Sequence, residues 1–435
     1  MKERGLFDTI VGSFRQRLSL LPDKRTGKNT RYGMEDAALS AFSVFFTQTS
    51  SFLAYQRMMA GSKGKSNAQS LFGVHQIPSD NQIRDLLDPV APEHVFPVFE
   101  EILQLLEQQG QLEGFRSVAD TLLLAIDGTE YFSSSQIHCS NCSTRTLKSG
   151  ETHSFHSVIT PVIVCPGQAH VIPLVPEFIV PQDGHDKQDC EIAAAKRWLA
   201  QQGPRLSALN VTVLGDDLYC HQPLCQQLLD QKFNFILVGR PESHTTLYEH
   251  LEGIDLPTVS AKRWMGKVEE TYTYRYLNGV PLTDSDDALL VNWCEVTVSR
   301  SDGKVTYKNS FATSHTLSDE NVAAIVLAGR TRWKVENENN NTLKTKGYNL
   351  EHNFGHGKQH LSSFLATLNI LSLLFHTLLE LLDQKYKLLR FHLPTRKTFF
   401  DDLRALTRYM YFNSWDHLLT FMLEGLELDI PPNTS

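Results

Sequence analysis

Apolar positions change texture twice along the chain. Through residues 1–115 they gather in clusters such as 38–46 and 95–106, spaced like helix faces without strand alternation, so this segment is predicted helical. From about residue 118, short β-branched runs take over at 122–126, 157–164 and 171–180, set apart by Gly and Pro, and these read as strands. A helix is predicted over 187–201, with acids in its first turn and Lys196 and Arg197 near its end, as the helix dipole favours. A strand at 211–214, a helix near 223–231 and a strand at 233–239 follow.

Residues 240–315 break this rhythm. Segments 271–276 and 293–298 alternate like antiparallel strands, and Asn278-Gly279 and Asp302-Gly303 are hairpin-turn pairs, so a β-rich insertion is expected. Helices resume from Asp319. Three strands, a helix, then strand–helix–strand is the order of a ribonuclease H-like core, an α/β fold on a mixed sheet. The expected units are a helical N-terminal domain at 1–115, the first part of the core at 116–239 and the β-rich insertion at 240–315. The last core helices at 316–385 and a helical C-terminal region at 386–435 complete the chain. Leu361–Leu382 is apolar and long enough to cross a bilayer, but Asn369, His376, Glu380 and several Ser and Thr would be penalised in hydrocarbon. A buried core helix and no membrane partner are expected.

At 435 residues, with 41% hydrophobic and 21% charged positions, the chain has the makings of two or three packed units with ample core. A formal charge of −8 argues against a protein coated in nucleic acid, yet local basic faces remain, as in residues 1–31 with eight Lys or Arg against three acids. Seven cysteines, and a start without the apolar core of an export signal, point to reduced thiols and a cytoplasmic home. Gly64-Lys65-Ser66 resembles part of a phosphate loop, but Met59 stands where its leading glycine belongs and no strand precedes it. No nucleotide cofactor is expected.

Three acids sit where a metal-dependent phosphoryl-transfer site needs them. Asp127 ends the run 122–126, and Asp216 follows Gly215 at the end of 211–214; carboxylates just past buried strands collect at the edge where α/β active sites form. Glu336 lies in a polar stretch where Arg332, Glu336, Asn340 and Lys344 are four apart and share one helix face. Two aspartates and a glutamate can hold a pair of Mg²⁺ or Mn²⁺ ions, with Arg332, Trp333, Asn340 and Lys344 placed to contact DNA phosphates. The bland alternative for the row is a solvated face with ordinary ion pairs. The dense Asn run at 337–341, made of weak helix formers, favours polar contacts. Asp217, Glu338 and Glu130 compete for the ligand roles, and the acid-rich stretch 181–191 is read as helix capping.

Further constellations stand outside this set. Cys139, Cys142, His153 and His156 are zinc-ligand types whose spacing is unlike the usual finger, the alternative being a polar hairpin with reduced thiols. His352, His356 and His360 recur every four residues, but Gly355 and Gly357 weaken any helix there, so surface or phosphate-contacting roles are expected. Ser79 with Gln82 forms a capping box that, with 68–73, makes either a helix-turn-helix or an ordinary helical hairpin. Residues 385–408 carry seven cations against Asp401 and Asp402, with Tyr386, Phe391, Phe399 and Phe400 interleaved, a second stretch that can track phosphates.

Ala125-Ile126-Asp127-Gly128-Thr129, Leu214-Gly215-Asp216-Asp217-Leu218-Tyr219 and Arg332-Trp333-Lys334-Val335-Glu336-Asn337 resemble the three acidic motifs of bacterial DDE insertion-sequence transposases. The similar subgroup carries a Tyr-Arg-Glu-Lys signature on its last helix and a β insertion before it. Leu343-Lys344-x-x-Gly347-Tyr348-Asn349-Leu350-Glu351-His352 continues the match, which runs from about residue 30 to 385. The resemblance implies Asp127, Asp216 and Glu336 as Mg²⁺ ligands, Arg332 as the signature arginine, and cut-and-paste DNA transposition by metal-dependent endonuclease cleavage and strand transfer. It also implies double-stranded DNA, as element ends and target, for partner, and a homodimer in the synaptic complex, with the N-terminal domain serving DNA binding or dimerisation. Gly329 stands at the signature's tyrosine position, and Lys344 falls one residue late. Two other classes would keep the same core: a structure-selective nuclease without strand joining, and a catalytically silent DNA-binding relative.

Overall fold

The computed structural model describes residues 5–27, 30–59, 65–181, 190–266 and 268–429. The basic loop at 61–64 and most of the acid-rich stretch before Cys190 lie outside the described residues. The fold is α/β, centred on a nine-stranded mixed sheet. Its spatial order is Thr258–Met265, Val268–Pro281, Leu290–Arg300, Val305–Thr313, Asn234–Val238, Val211–Gly215, Leu122–Ala125, Val162–Val164 and Ile172–Pro173. Val211–Gly215 pairs in parallel with both Leu122–Ala125 and Asn234–Val238, and the other pairings are antiparallel.

Parallel strands lie under helices on both faces, which is why 122–125 is apolar throughout and wholly buried. Alternation sends Leu122 and Leu124 into one apolar layer with Trp198, Leu224 and Leu247, and Leu123 and Ala125 into another with Val322, Ile325 and Val326. The helix Val322–Arg330 closes the second face so tightly that a Cβ on Gly329 would stand 2.8 Å from the Ile236 and Phe311 side chains. Packing therefore leaves no room for the signature's tyrosine at this position.

The strands expected at 157–164 and 171–180 each divide. Thr152–Ile159 and Glu177–Ile179 belong to a separate four-stranded antiparallel sheet with Gly128–Ser134 and Ser143–Thr146, while Val162–Val164 and Ile172–Pro173 join the large sheet. Pro161 and Pro176 sit at the breaks, where a missing N–H interrupts the ladder. The β-rich segment also differs from expectation. Val305–Thr313 pairs with Asn234–Val238, so these strands extend the core sheet instead of standing apart. Asn278-Gly279 lies at a bulge inside Val268–Pro281, with Gly279 at φ +74° and the Asn278 amide exchanging hydrogen bonds with the Leu317 backbone. Asp302-Gly303 does turn its hairpin, the Gly303 N–H donating to the Arg300 carbonyl.

Leu361–Leu382 is a buried core helix. Its polar groups find partners within the protein: Asn369 donates to the Tyr348 carbonyl (2.8 Å) and Thr377 to that of Val171 (3.1 Å). Glu380 meets His170 at 2.7 Å, Arg390 at 3.1 Å and Arg396 at 3.5 Å. Phe375 packs against Phe14 at a tilt and against Phe42 edge-on, so the N-terminal helices, this helix and one sheet face share a single apolar layer. Burial opposes ionisation of Glu380, but His170, Arg396 and Arg390 outweigh it and hold the carboxyl down at about 2. Its contribution to stability is thus complete above the ordinary glutamate range and is lost as pH falls toward 2. Glu380→Gln, which leaves two partly buried guanidinium groups without their carboxylate, should cost about 3 kcal/mol in urea unfolding at pH 7. The deficit should shrink progressively as pH is lowered below 4.5.

Candidate active site

Parallel register sets the two aspartates level. Ala125 lies opposite Leu214 and the Ile126 N–H donates to the Leu214 carbonyl, so Asp127 and Asp216 leave the sheet side by side at its carboxyl edge. Asp216 Oδ1 accepts the Leu218 N–H (2.9 Å), starting the short turn Asp217–Tyr219. Asp217 serves the next loop: it accepts from the Arg240 N–H (2.7 Å) and the Ser243 hydroxyl, and lies 3.3 Å from His244. Glu130 is held by Arg145 in the small sheet.

Glu336 comes to the same place from the helical side. Arg332 Nη2 stands 2.8 Å from Glu336 Oε1 and Nη1 stands 3.9 Å from Asp127 Oδ1, so one guanidinium lies between two acids. Nη1 is buried and makes no hydrogen bond. The segment Val335–Asn340 winds as a π-helix, a form that collects at functional sites. Because its hydrogen bonds close over five residues, the expected four-residue row keeps its Arg332–Glu336 step but does not continue to Asn340. Asn340 is turned inward, its Oδ1 accepting from the Thr160 hydroxyl (2.7 Å) and the Asn339 amide (3.0 Å). Thr160 in turn donates its N–H to the Asp127 carbonyl (3.0 Å), so Asn340 ties the helix to the strand end. Lys344 is paired with Glu351 (2.9 Å). Arg332 faces the acids, and Trp333 beside it is exposed.

A fourth acid joins the set. Glu191, the first residue of the helix Glu191–Leu206, accepts from the Gly128 N–H (3.0 Å) and the Tyr219 hydroxyl (2.5 Å). It therefore bridges the turn after Asp127 and the turn after Asp216. A Cβ at Gly128 would displace the Glu191 carboxylate from this position. The acid at a helix start was visible in the sequence, but capping explains such acids so often that nothing marked this one. An open depression of about 420 Å³, bordered by Gly128, Ser143, Phe155 and Ile179, adjoins Glu191.

Burial drives the Asp127 carboxyl up to about 7; Arg332 pulls it down, while Glu336, Glu191 and Asp216 push it up. Asp127 thus feels three other carboxylates against a single guanidinium. Their oxygens suit hard divalent cations such as Mg²⁺ or Mn²⁺.

The softer constellation assembles with one exchange. Ligand atoms of Cys139, Cys142, His156 and His356 lie within 4.8 Å of one another, the group of this kind found among the described residues; the carboxylates are spaced more widely around Arg332. His153 is outside the group, 3.4 Å from Glu151 and 3.5 Å from the Ser133 hydroxyl. Strand alternation explains this, since residues three apart point to opposite faces. His352, His356 and His360 lie in an irregular segment and form no helical face.

Among the suggested DNA contacts, the Ser79 capping box is present, and Asn67–Phe72 and Asp80–Leu87 are both helical. The cations of 385–408 are largely engaged within the protein: Lys385 with Asp416, Arg390 and Arg396 with Glu380, and Lys397 and Arg404 with Asp401. Tyr386, Phe399 and Phe400 are buried, whereas Phe391 is exposed. Comparison with known family models and with curated proteins finds no match.

Because ionised Asp127 is disfavoured in the fold, the metal-free protein should lose stability as pH rises from 4 through 7. Asp127→Asn should remove that slope. By urea unfolding in chelator, the variant should be more stable than the parent at pH 8, by about 1 kcal/mol or more, with a gain that shrinks steadily as pH falls and is small only below pH 4.

Proposed function

We propose that the chain is a DNA transposase of the DDE type, acting on double-stranded DNA with two divalent cations, Mg²⁺ or Mn²⁺, held by Asp127, Asp216 and Glu336. The observation that carries this reading is the approach of Asp127 and Glu336 to one guanidinium, Arg332, with Asp216 leaving the adjacent parallel strand end close enough to act on Asp127. A second feature supports it. Ile172–Pro173, Val162–Val164, Leu122–Ala125, Val211–Gly215 and Asn234–Val238 are neighbours in that order, with Val162–Val164 antiparallel to both its partners. This order is compatible with the 3-2-1-4-5 arrangement expected of a ribonuclease H-like core, and the acids follow the carboxyl ends of its parallel strands, which supports the reading.

Bound there, a cation pair supplies charge for the attacking and leaving oxygens of an in-line displacement at phosphorus. The chain's own residues prepare the place. Asp127 must give up its proton to become a ligand, so cation affinity rises with pH up to about 7 and levels off beyond it. Glu191 fixes the two aspartate-bearing turns through the Gly128 N–H and the Tyr219 hydroxyl. Arg332 is free to hold a phosphate oxygen once Asp127 has another counter-charge. The exposed Trp333 ring beside it offers a flat face to a base or sugar. Water attack would nick the element end, and the freed 3′-hydroxyl would attack target DNA; one geometry serves both displacements. A homodimer on paired DNA ends, in the cytoplasm, is the proposed working assembly.

The test is a cleavage and strand-transfer assay in Mg²⁺, using the terminal inverted repeats that flank the coding sequence. Asp127→Asn, Asp216→Asn and Glu336→Gln should each lower both products by about 10³-fold or more, with DNA binding retained. Wild-type cleavage without any joining would instead indicate a structure-selective nuclease. Strand transfer that survives all three substitutions would refute the assignment.

A further inference from the structure

We propose that Cys139, Cys142, His156 and His356 hold a structural zinc ion that fastens the small sheet beside Asp127 to the segment following the Glu336 helix. The ligand geometry carries this. A tetrahedral zinc, with Zn–S of about 2.3 Å and Zn–N of about 2.0–2.1 Å, sets two sulfurs about 3.8 Å apart and a sulfur and a nitrogen about 3.6 Å apart. Cys139 Sγ and Cys142 Sγ are 3.8 Å apart. His156 Nε2 is 3.5 Å from the first sulfur and 3.4 Å from the second, and His356 Nε2 is 3.6 Å from Cys142 Sγ. These separations match the edges of one tetrahedron. They are too long for a disulfide, whose sulfurs lie about 2.05 Å apart.

The surroundings hold the ligands in place. Cys142, His156 and His356 are buried. The Cys139 N–H donates toward Cys142 Sγ (3.4 Å), a contact that favours a thiolate. His156 makes a hydrogen bond with the Asn141 backbone, leaving Nε2 toward the sulfurs. Phe132 packs on the His356 ring at 4.4 Å and Tyr131 stacks on that of His156 at 5.7 Å. The segment that delivers His356 is pinned from the other side: Asp88 accepts from the N–H groups of Lys358, Gln359 and Leu361 at 3.0–3.2 Å. Gly357, at φ +70°, lets the chain turn against Asp88.

Four protein ligands fill a tetrahedron, so this ion has no open position and is structural. Two thiolates and two imidazoles select zinc over magnesium, which keeps the site chemically separate from the carboxylates. Its placement gives it a purpose. Gly128–Ser134 begins one residue after Asp127 and pairs with Thr152–Ile159, which carries His156, while His356 follows the acid-bearing helix. The ion would thereby cross-link the flanks of the first and third acids over 214 residues of chain.

Full-length protein purified without chelator and analysed by elemental mass spectrometry should contain one zinc per chain. Cys142→Ser and His356→Ala should lose it, whereas His153→Ala should keep it. Should the first two variants fail to fold, wild-type protein reconstituted with cobalt(II) should show thiolate-to-cobalt charge transfer and the intense visible bands of a tetrahedral site. Absence of stoichiometric zinc together with absence of those bands would overturn the proposal. So would zinc that depends on His153 and not on His356, or a native Cys139–Cys142 disulfide. None of these readouts depends on catalysis, so they stand or fall apart from the transposase assignment.

Discussion

Like charges brought together around one partly buried carboxylate are the constraint on which this structure turns. Asp127 sits at the end of a buried strand and feels Glu336, Glu191 and Asp216, against the single guanidinium of Arg332. Desolvation and mutual repulsion both work against its ionised form. A fold that depended on stability alone would gain by replacing Asp127 with a neutral side chain of similar shape. Keeping four acids there makes sense if cations are the intended occupants, for then the same repulsion becomes affinity. Arg332 fills the charge deficit in the meantime.

Much of the surrounding architecture keeps these acids in place. Glu191 clasps the Gly128 N–H and the Tyr219 hydroxyl, so the two aspartate turns cannot drift apart without breaking a hydrogen bond. Asn340 and Thr160 do the same for the helix that carries Glu336, and the π-helical winding is what brings Asn340 inward while Glu336 stays with Arg332. Gly128 and Gly329 have no side chain because a carboxylate and the sheet occupy the space. The buried Glu380 cluster plays a more distant part, joining the core helix to the C-terminal helices.

Local chemistry was legible in the sequence; pairing across distance was not. The runs before Asp127 and Asp216 announced buried strands, because parallel strands covered on both faces need continuous apolar residues. Their edge position followed from that, and the choice of Asp216 over Asp217 needed only the side-chain partners. The helical row held from Arg332 to Glu336 but not on to Asn340, since nothing in a string of asparagines announces a π-helical turn. Residues 240–315 read as a β-rich insertion, but alternation marks a strand and not its neighbour, so their pairing onto the edge of Asn234–Val238 was not legible. His356 could not be matched with Cys139 and Cys142 by spacing, as 214 residues separate it from Cys142. The sequence reading put His153 in its place, and strand alternation turns His153 to the opposite face.

The central claim is that Asp127, Asp216 and Glu336 form one cation-binding place. The most direct test is anomalous scattering from crystals of the DNA-free protein soaked in Mn²⁺ at pH 8. The account predicts a manganese peak in contact with Asp127 and Asp216, with Arg332 moved away from Asp127. Manganese bound elsewhere, with Arg332 still between Asp127 and Glu336 at saturating cation, would contradict it.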